Sequence, residues 1–366
     1  MYDATPLEAE IRRRIAAAGS MPVNEYMALC LADPAHGYYT TRDPFGARGD
    51  FVTAPEVSQM FGEMIGLWMV AVWKQMGSPA NLRIVELGPG RGTMMKDALR
   101  AAKLIPAFCE AAVLHLVEIS PALQKQQEQT LESVSVPMFW HASLDDVPAG
   151  PAIIVANEFF DALSVNQMIK TEQGWHERQI ELDPAGKLAF TAAPDPAAGF
   201  DRLLPRAAHE APVGSIVEWR DDKVAMHLGR RLTRDGGAAL VVDYGHAESA
   251  VGDTLQAVGQ HAYADPLNAP GTLDLTAHVD FQALGKAAEA MGAQGFGPIT
   301  QSQFLRRLGI EQRAIALKTK ATPEQAADID AALSRLIGEG QGSMGALFKA
   351  AAFAHPSNGA PPGFER

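Results

Sequence analysis

Short apolar runs alternate with longer segments of helical character through the middle of the chain. Each run ends at turn-forming residues and is rich in aliphatic side chains, which is typical of buried strands. The predicted strands are Leu82–Leu87, Val113–Glu118, Val136–Trp140, Ala152–Ala156 and Ala238–Asp243, and the predicted helices between them are Thr93–Leu104, one from Pro121 behind a Ser120 N-cap, and one over residues 222–232. This alternation predicts an α/β fold: a doubly wound parallel sheet with helices on both faces and right-handed crossovers.

The segments outside this alternation predict additions to the sheet. They comprise helices Pro6–Ala18, Pro22–Leu31 and Glu56–Met76, short strands Val165–Lys170, Trp175–Glu181 and Lys187–Thr191, and closing strands near Ala293–Pro298 and Leu347–Phe353. We therefore predict four parts, which are an N-terminal helical extension covering a cleft (1–80), a core (81–163 and 236–354), an inserted α+β region on the substrate side (164–235) and a flexible tail (355–366).

Composition narrows the possible function classes. The chain has 366 residues, of which 47% are hydrophobic, so it can bury a sizeable core. Its net charge of -12 argues against nucleic-acid binding, which needs clustered Lys and Arg. Cys30 and Cys109 form no C-x-x-C pair, which favours reduced thiols in a cytoplasmic protein over a disulfide or zinc site. We find no secretory signal pattern and no apolar run that predicts membrane insertion.

The strongest local motif is ELGPGRG at residues 86–92, between a predicted strand and a predicted helix. Glycines in such a turn let backbone approach a ligand closely, and the helix N-terminus favours an anionic group. The dinucleotide-binding motif G-x-G-x-x-G would need a glycine at position 93, where the chain has Thr93. The Gly-Lys-Ser/Thr sequence that ends a P-loop is also missing, which argues against hydrolysis of a nucleoside triphosphate. Glycines at 88, 90 and 92 behind an acid instead suit S-adenosylmethionine (AdoMet), whose amino group would lie near Glu86. The motif residues assigned to the cofactor are Glu86, Gly88, Gly90 and Gly92.

Two later strand ends extend this predicted cofactor site. Glu118 ends the second strand, where a carboxylate can accept both hydroxyls of a ribose, and Ile119 follows it. Ser143 and Leu144 follow the third strand, in a position that commonly flanks an adenine. A plain turn remains an alternative for this last pair.

Polar residues follow the fourth strand, which is otherwise the most apolar. Ligands of doubly wound sheets bind where the strand order reverses, here between the first and fourth strands. Asn157, Glu158 and Asp161 should therefore face the glycine turn, although helix capping by Asn157 or Asp161 is an alternative. We assign Asn157 to both the cofactor and the reaction. Two acids beside the methyl group suit a cationic acceptor such as arginine, whose guanidinium pairs with carboxylates. Glu158 or Asp161 would orient the guanidinium and remove its proton as the methyl group arrives, so we assign both to catalysis.

Many distinctive stretches carry a family resemblance that covers residues 20–352. They include GDFVTAPEVSQMFGE, VELGPGRGTMMKD, HLVEISPALQKQQ, ANEFFDALSVNQ, VVDYGH and HAYADPLNAPGTLDLTAHVDF. The chain resembles the MidA-like methyltransferases, whose mitochondrial members are arginine methyltransferases that assist complex I assembly. The resemblance implies a class I, Rossmann-like fold with a seven-stranded sheet, AdoMet on the glycine turn, and Glu118 on the ribose.

The resemblance also implies a partner and a location. The implied reaction is symmetric dimethylation of an arginine in a quinone-side subunit of NADH dehydrogenase. For a bacterial chain the location would be the cytoplasm, whereas eukaryotic relatives lie in the mitochondrial matrix. We expect a monomer or a homodimer, with no nucleic-acid partner.

Two loops supply candidate substrate residues. In the N-terminal loop, Asp50 and Glu56 could hold a cationic substrate, although Glu56 could instead stabilise the start of its own helix. In the late loop, two histidines lie among three acids: His261, Asp265, Asp274, His278 and Asp280. We assign these residues to the substrate side and predict no metal site, because no metal-ligand spacing is met.

Three alternatives to a protein-arginine methyltransferase remain open at this point. A methyltransferase of a small molecule would need a closed pocket rather than an open groove. An assembly factor could bind AdoMet without catalysis, although Glu158 and Asp161 would then serve no purpose. A NAD-dependent oxidoreductase is disfavoured by Thr93.

Overall fold

The computed structural model describes residues 4–41, 53–204, 206–259, 262–340 and 342–365. Its helices are α1 (Pro6–Ala18), α2 (Val23–Ala32), α3 (Tyr38–Thr41), α4 (Ala54–Val57), α5 (Gln59–Gln75), α6 (Thr93–Ala102), α7 (Pro106–Ala111), α8 (Pro121–Thr130), α9 (Arg206–His209), α10 (Lys223–Asp235), α11 (Phe281–Ala290), α12 (Gln301–Arg307), α13 (Ile310–Lys318) and α14 (Pro323–Ile337). Short 3₁₀ helices cover Leu144–Asp146, Phe200–Leu203 and Pro356–Asn358.

The strands are β1 (Met21–Pro22), β2 (Leu82–Leu87), β3 (Ala112–Val117), β4 (Met138–His141), β5 (Ala152–Asn157), β6 (Val165–Thr171), β7 (Gly174–Leu182), β8 (Leu188–Ala192), β9 (Ile216–Arg220), β10 (Gly237–His246), β11 (Gln256–Gly259), β12 (Ala262–Ala264), β13 (Asp274–Thr276), β14 (Val279–Asp280), β15 (Gln294–Thr300) and β16 (Phe348–Ala354). No helix among the described residues is long and apolar enough to cross a bilayer.

The described chain divides into two compact units. Unit 1 takes its residues from 1–51, 161–221 and 248–283, and unit 2 from 52–160, 222–247 and 284–366. The chain therefore leaves unit 2 directly after β5 and returns to it at α10. This division differs from the predicted boundaries, because α4, α5 and α10 belong to the unit that contains the parallel sheet.

The sheet of unit 2 runs in the order β15-β16-β10-β5-β2-β3-β4. Strands β10, β5, β2, β3 and β4 pair in parallel, and β16 and β15 close the sheet antiparallel. From β2 the chain proceeds outward through β3 and β4, whereas from β5 it proceeds in the other direction to β10. The order therefore reverses between β2 and β5, as predicted for the first and fourth strands of the alternation.

Both faces of this sheet are buried, which explains why its central strands are apolar throughout. In β10, Leu240 and Val242 belong to the same core cluster as α5, which contributes Trp68. Side chains alternate between faces along a strand, so Val241 points to the other face, and it too is fully buried. Helix α10 packs on β10. The expectation of a doubly wound α/β fold is confirmed.

Helix α5 contains one buried acid among its apolar residues. Glu63 is paired with Arg100 at 3.0 Å and with Arg313 at 2.7 Å. The helix also begins later than predicted, because the extended backbone of Ser58 separates it from α4. The Ser58 side chain accepts a hydrogen bond from the Met60 amide, which makes Ser58 the N-cap.

Unit 1 contains antiparallel sheets. One runs in the order β1-β7-β6-β9 with β8 paired to β7, and a smaller one runs β12-β11-β13. Residues of α1 and α2, among them Leu7, Ile11 and Tyr26, form a core with Val165 and Leu275. The three predicted short strands are confirmed as β6, β7 and β8.

The C-terminal residues were predicted to form a flexible tail, but they pack on unit 2. Trp68 donates to the Pro362 carbonyl at 3.1 Å, and Arg307 donates to the Gly363 carbonyl at 2.9 Å. Phe364 is buried against Phe304. The order of a chain terminus depends on contacts with distant segments, which a local sequence pattern does not reveal.

Candidate active site

The glycine turn lies where the sequence places it, between β2 and α6. Gly88, Gly90 and Gly92 have φ values of 62°, 54° and 80°, in the left-handed region that side chains disfavour. A Cβ on Gly88 would lie 2.9 Å from the ring of Phe159. The turn therefore needs glycine for its own conformation and, at Gly88, also for the close approach of Phe159.

Glu86 lies one residue before the end of β2 and is only 2% exposed. Its Oε2 has no hydrogen-bond partner among the described residues, and burial raises the pKa of this carboxyl to about 8. A cationic group beside Glu86 would restore its charge and satisfy this oxygen. This arrangement fits the ammonium group of AdoMet.

Glu118 lies directly after β3, whose backbone pairs with β2. One carboxylate oxygen accepts from the Ser120 amide at 2.8 Å, and the other accepts from Gln127 at 3.3 Å. Burial raises the pKa of Glu118, and these hydrogen bonds oppose the rise. The next residue, Ile119, is 58% exposed. A fixed acid beside an exposed apolar side chain is suited to a ribose and its base.

Gln127 is a supporting residue that we did not predict. It lies on α8, and its Nε2 also donates to the Gly90 carbonyl at 2.7 Å, while its Oε1 accepts from Trp140 at 2.8 Å. It therefore links the glycine turn to Glu118. The signal was available, since Gln127 is the polar residue one helical turn after Leu123 on the buried face of α8.

Asn157 and Glu158 lie at the carboxyl end of β5, beside β2 in the sheet. Asn157 is buried, and its Oδ1 has no partner among the described residues. Glu158 Oε1 accepts from Asn157 Nδ2 at 3.2 Å and from the Ala54 amide at 3.3 Å. The backbone of Glu158 is left-handed, with φ of 49°. An unsatisfied amide oxygen and a strained acid are features of a functional site more than of packing.

Asp243 is a second residue that we did not predict, although its segment contributes to the family resemblance. It lies on β10 and is fully buried. Its Oδ2 accepts from the Phe159 and Phe160 amides at 3.2 and 3.0 Å, and its Oδ1 accepts from the Tyr244 amide at 3.0 Å. It therefore holds the backbone that follows Glu158.

Glu56 and the pair Ser143–Leu144 have contacts that bear on the alternatives left open. Glu56 lies in the first turn of α4, and its Oε1 accepts from the Thr93 hydroxyl at 2.6 Å, at the end of the glycine turn.

The Ser143 hydroxyl accepts from the Asp145 amide at 3.0 Å and caps the 3₁₀ helix that contains the buried Leu144. The structure thus gives Ser143 a capping contact, and the adenine role stays a prediction.

In unit 1, Arg220 brings Asp161 and His278 together through backbone contacts. Its guanidinium donates to the carbonyls of His278 at 2.7 Å, Leu163 at 3.1 Å and Asp161 at 3.3 Å. The Ala277 amide donates to the Asp161 carbonyl at 3.1 Å. Arg220 could not be found from the sequence, because its partners are 57–59 residues away in the chain.

The other late-loop residues have separate environments. Asp274 is buried and accepts from Tyr39 at 2.9 Å, and burial is the main reason why the Tyr39 pKa is raised. Asp265 accepts from the Leu267 amide in an exposed turn, and Asp280 accepts from the Ala283 amide in the first turn of α11. The candidates Asp50 and His261 lie outside the described residues. Within the described residues, no group of three or more His, Cys, Asp or Glu side chains could hold a metal ion.

Comparison with known proteins identifies the family. A sequence model of a family of S-adenosyl-L-methionine-dependent methyltransferases matches residues 64–299. The chain belongs to this family. It is 38% identical to "Protein arginine methyltransferase NDUFAF7 homolog, mitochondrial" of Drosophila melanogaster over 94% of this chain and 83% of the relative, and 38% identical to the Homo sapiens protein over 87% and 76%.

A solved structure supports the same assignment. A methyltransferase superfamily member from Burkholderia thailandensis, bound to S-adenosylhomocysteine, is 29% identical and superimposes with a TM-score of 0.85 over 98% of this chain and 94% of its own. The chain is therefore an AdoMet-dependent methyltransferase with the fold of this family. The geometry of Glu86, the glycine turn and Glu118 fits that cofactor.

Proposed function

We propose that this methyltransferase modifies an arginine side chain of a protein substrate. The observation that carries the proposal is the pair Asn157–Glu158 at the carboxyl end of β5, the strand that pairs with β2 where the strand order reverses. The pair offers an amide oxygen and a carboxylate, which suit a guanidinium that donates several hydrogen bonds. The relatives named as protein arginine methyltransferases support the same acceptor.

The distribution of charge gives independent support for a cationic substrate. Unit 1 contains 11 Lys and Arg against 22 Asp and Glu, a net charge of -11, whereas unit 2 contains 20 against 21, a net charge of -1. Nearly all of the negative charge of the protein thus belongs to one unit. A field of this kind attracts a basic polypeptide and raises its association rate.

The chemistry required of the protein follows from the acceptor. AdoMet supplies an electrophilic methyl group, and transfer forms the N–C bond as the S–C bond breaks. Removing a guanidinium proton beforehand at pH 7 would cost roughly 7–9 kcal/mol, since its pKa is above 12. In our proposal Glu158 orients the guanidinium and accepts its proton as the methyl group arrives, while Asn157 fixes the second donor. For the cofactor, we propose that Glu86 binds the ammonium group of AdoMet, that the glycine turn lies against the cofactor, and that Glu118 binds the ribose.

Three finer proposals rest on the family resemblance and on residue type. The substrate is a quinone-side subunit of NADH dehydrogenase, the product is symmetric dimethylarginine, and the reaction takes place in the bacterial cytoplasm. Asp161, Asp274 and His278 are proposed to contact the substrate, as is Glu56 through the α4 segment.

The proposal is tested by labelling. Extract from a strain lacking this protein is incubated with the purified enzyme and methyl-labelled AdoMet, and labelled bands are identified by mass spectrometry; purified NADH dehydrogenase from that strain is a parallel substrate. We expect a labelled protein whose modified residue is arginine. Label found only in small molecules would contradict the protein substrate, and label on another subunit or protein would contradict only the finer proposal.

A substitution tests the role of Glu158. Glu158→Gln should bind AdoMet with a Kd within about twofold of the original and should lose methyl transfer by on the order of 10²-fold or more, because it cannot accept the proton. Calorimetry measures the first quantity and label incorporation the second. The exposed Glu110→Gln is the control and should change neither. Full transfer by Glu158→Gln would remove Glu158 from the mechanism.

A further inference from the structure

Glu158 adopts a backbone conformation that its side chain does not favour. Its φ of 49° lies in the left-handed region, which glutamate rarely enters outside functional sites. The residue cannot relax by leaving the sheet, because its own amide still donates to the Val242 carbonyl at 2.9 Å and so continues the pairing of β5 with β10. Something in the surroundings must therefore hold the turn.

The two amides that follow Glu158 converge on one buried anion. A left-handed residue turns successive N–H groups toward the same point, and such a concavity binds anions. Here the anion belongs to the chain: Asp243 Oδ2 accepts from Phe159 and Phe160, and Oδ1 is held by the Tyr244 amide. Three amide donors on one fully buried carboxylate satisfy an otherwise expensive charge.

The position of the Glu158 carboxylate depends on this turn. From the left-handed backbone its Oε1 reaches Asn157 Nδ2 and the Ala54 amide. A right-handed or extended backbone at this residue would point the side chain elsewhere and would separate the Phe159 and Phe160 amides from Asp243. The carboxylate on β10 and the acid after β5 are thus parts of one arrangement, although 85 positions of sequence separate them.

We propose that Asp243 is a positioning residue for methyl transfer, which holds Glu158 in its strained conformation through the Phe159 and Phe160 amides. The consequence for the reaction rests on the proposed function, whereas the structural coupling between the two residues does not. Asp243 touches neither substrate nor cofactor in this proposal, so its removal should lower kcat and leave AdoMet affinity nearly unchanged.

The test is a double-mutant cycle followed by stability and by activity. Asp243→Asn keeps the shape of the side chain but replaces the carboxylate by a neutral amide, whose NH2 group cannot accept a hydrogen bond from a backbone N–H. Glu158→Gly adopts the left-handed backbone without strain. We expect Asp243→Asn to lower the urea midpoint in the original background and to lower it clearly less in the Glu158→Gly background. Equal losses in both backgrounds would overturn the proposal, because a purely structural Asp243 would not depend on residue 158.

Activity provides the second readout. We expect Asp243→Asn to lower kcat on the order of 10²-fold with the AdoMet Kd within about twofold, since displacement of a reacting group by an ångström has effects of this size. Asp243→Glu, which keeps the charge, should recover part of that loss. Unchanged kcat in a folded Asp243→Asn would also overturn the proposal. Asp328→Asn, at an exposed position on α14, is the matched control and should behave as the original protein does.

Two measurements keep the test decisive. If Asp243→Asn does not fold, Glu158→Gly alone should raise the urea midpoint, because it removes the strain; a lowered midpoint would contradict the left-handed strain on which the proposal depends. If Glu158→Gln retains full transfer, the proposed function of Glu158 fails, while the cycle in urea still reports on the coupling.

Discussion

Three buried carboxylates of unit 2 lie near the carboxyl ends of parallel strands, and each is stabilised differently. Asp243 accepts from the Phe159, Phe160 and Tyr244 amides, whereas the hydrogen bonds to Glu118 include one from the Ser120 amide and one from the Gln127 side chain. Glu86 has an oxygen with no hydrogen-bond partner in the described part of the chain, and burial raises its pKa to about 8. Of the three, Glu86 is the one prepared for a partner that is not part of the chain, because a cation beside it would offset the cost of its charge.

This difference predicts how stability depends on pH. In the folded, ligand-free protein Glu86 keeps its proton up to about pH 8, whereas in the unfolded chain it loses the proton near 4.5. The folded state therefore binds more protons between these values, and its stability falls as pH rises through them. Glu86→Gln removes this loss. We expect the variant to lie within about 1 kcal/mol of the original at pH 5 and to exceed it by on the order of 4–5 kcal/mol at pH 9.

Urea unfolding of both proteins at the two pH values measures the effect, and pH dependence common to both cancels in the difference. A difference that is the same at pH 5 and pH 9 would show that the folded state does not hold Glu86 protonated. The variant should also bind AdoMet more weakly at pH 7, since it offers no charge to the ammonium group.

At the scale of elements, the position of the glycine turn depends on how α5 and α6 pack. Helix α6 begins directly after the turn, and α5 approaches α6 closely at Gly62 and Gly66. A Cβ on Gly66 would lie 2.2 Å from the Ala98 carbonyl oxygen, and one on Gly62 would lie 2.7 Å from the Asp97 Cβ. These glycines are needed for close approach of two helices and not for the conformation of either.

The same substitution should therefore have opposite effects on two helices. Alanine favours a helix over glycine by about 1 kcal/mol, but at Gly66 the backbone of α6 occupies the space that the methyl group needs. We expect Gly66→Ala to destabilise the protein by about 1–3 kcal/mol. Gly285→Ala, on α11 with nothing within 4 Å, should be neutral or stabilising.

Urea unfolding of the two variants shows whether the effect of Gly66→Ala is set by the close packing of α5 on α6 or by the helix propensity of alanine. If both substitutions stabilise the protein, the close crossing of α5 and α6 is not rigid. A displaced α6 would also weaken AdoMet binding, so Gly66→Ala should raise the AdoMet Kd and Gly285→Ala should not.

In the molecule as a whole, the net negative charge is concentrated in one of the two units. The net charge of -12 is ordinary as a total, but -11 of it belongs to unit 1. Segregation of charge is not required for folding, because dispersed charges would repel less within a unit. It is consistent with one unit attracting a basic substrate while the other binds the cofactor.

Two variants with the same total charge test this division. One removes three exposed acids of unit 1 (Glu172→Gln, Asp195→Asn and Glu210→Gln), and the other removes three of unit 2 (Glu110→Gln, Glu132→Gln and Asp328→Asn). With an arginine–glycine repeat peptide at low salt, we expect the first to raise the Kd about fivefold, from roughly 0.3 kcal/mol per charge. The second should change the Kd little.

Fluorescence anisotropy measures both affinities, and added NaCl should reduce the difference between the variants because it screens exposed charges. Equal effects of the two variants would mean that only the total charge matters and would remove this support for a basic substrate. The urea midpoints of both variants should remain close to that of the original protein.

Features that depend on neighbouring residues could be predicted from the amino-acid sequence. The bounds of α1 and β2 and the Ser120 cap of α8 agree with prediction, because periodicity, Pro at the first helical turn and capping side chains act within a few residues. The glycine turn and the acids near it were found for the same reason. Ser58 shows the limit, since one extended residue divides a helix that the apolar pattern made continuous.

The distant residues that support the site could be identified only from the folded structure. Asp243 reaches the turn after Glu158 because β10 pairs with β5, and Gln127 reaches Gly90 because α8 packs beside the turn. Contacts with Trp68 and Arg307, which are also distant in the sequence, order the C-terminal residues. Local patterns carry no information on such contacts, because the free energy that fixes them comes from burial and hydrogen bonding between segments far apart in the chain.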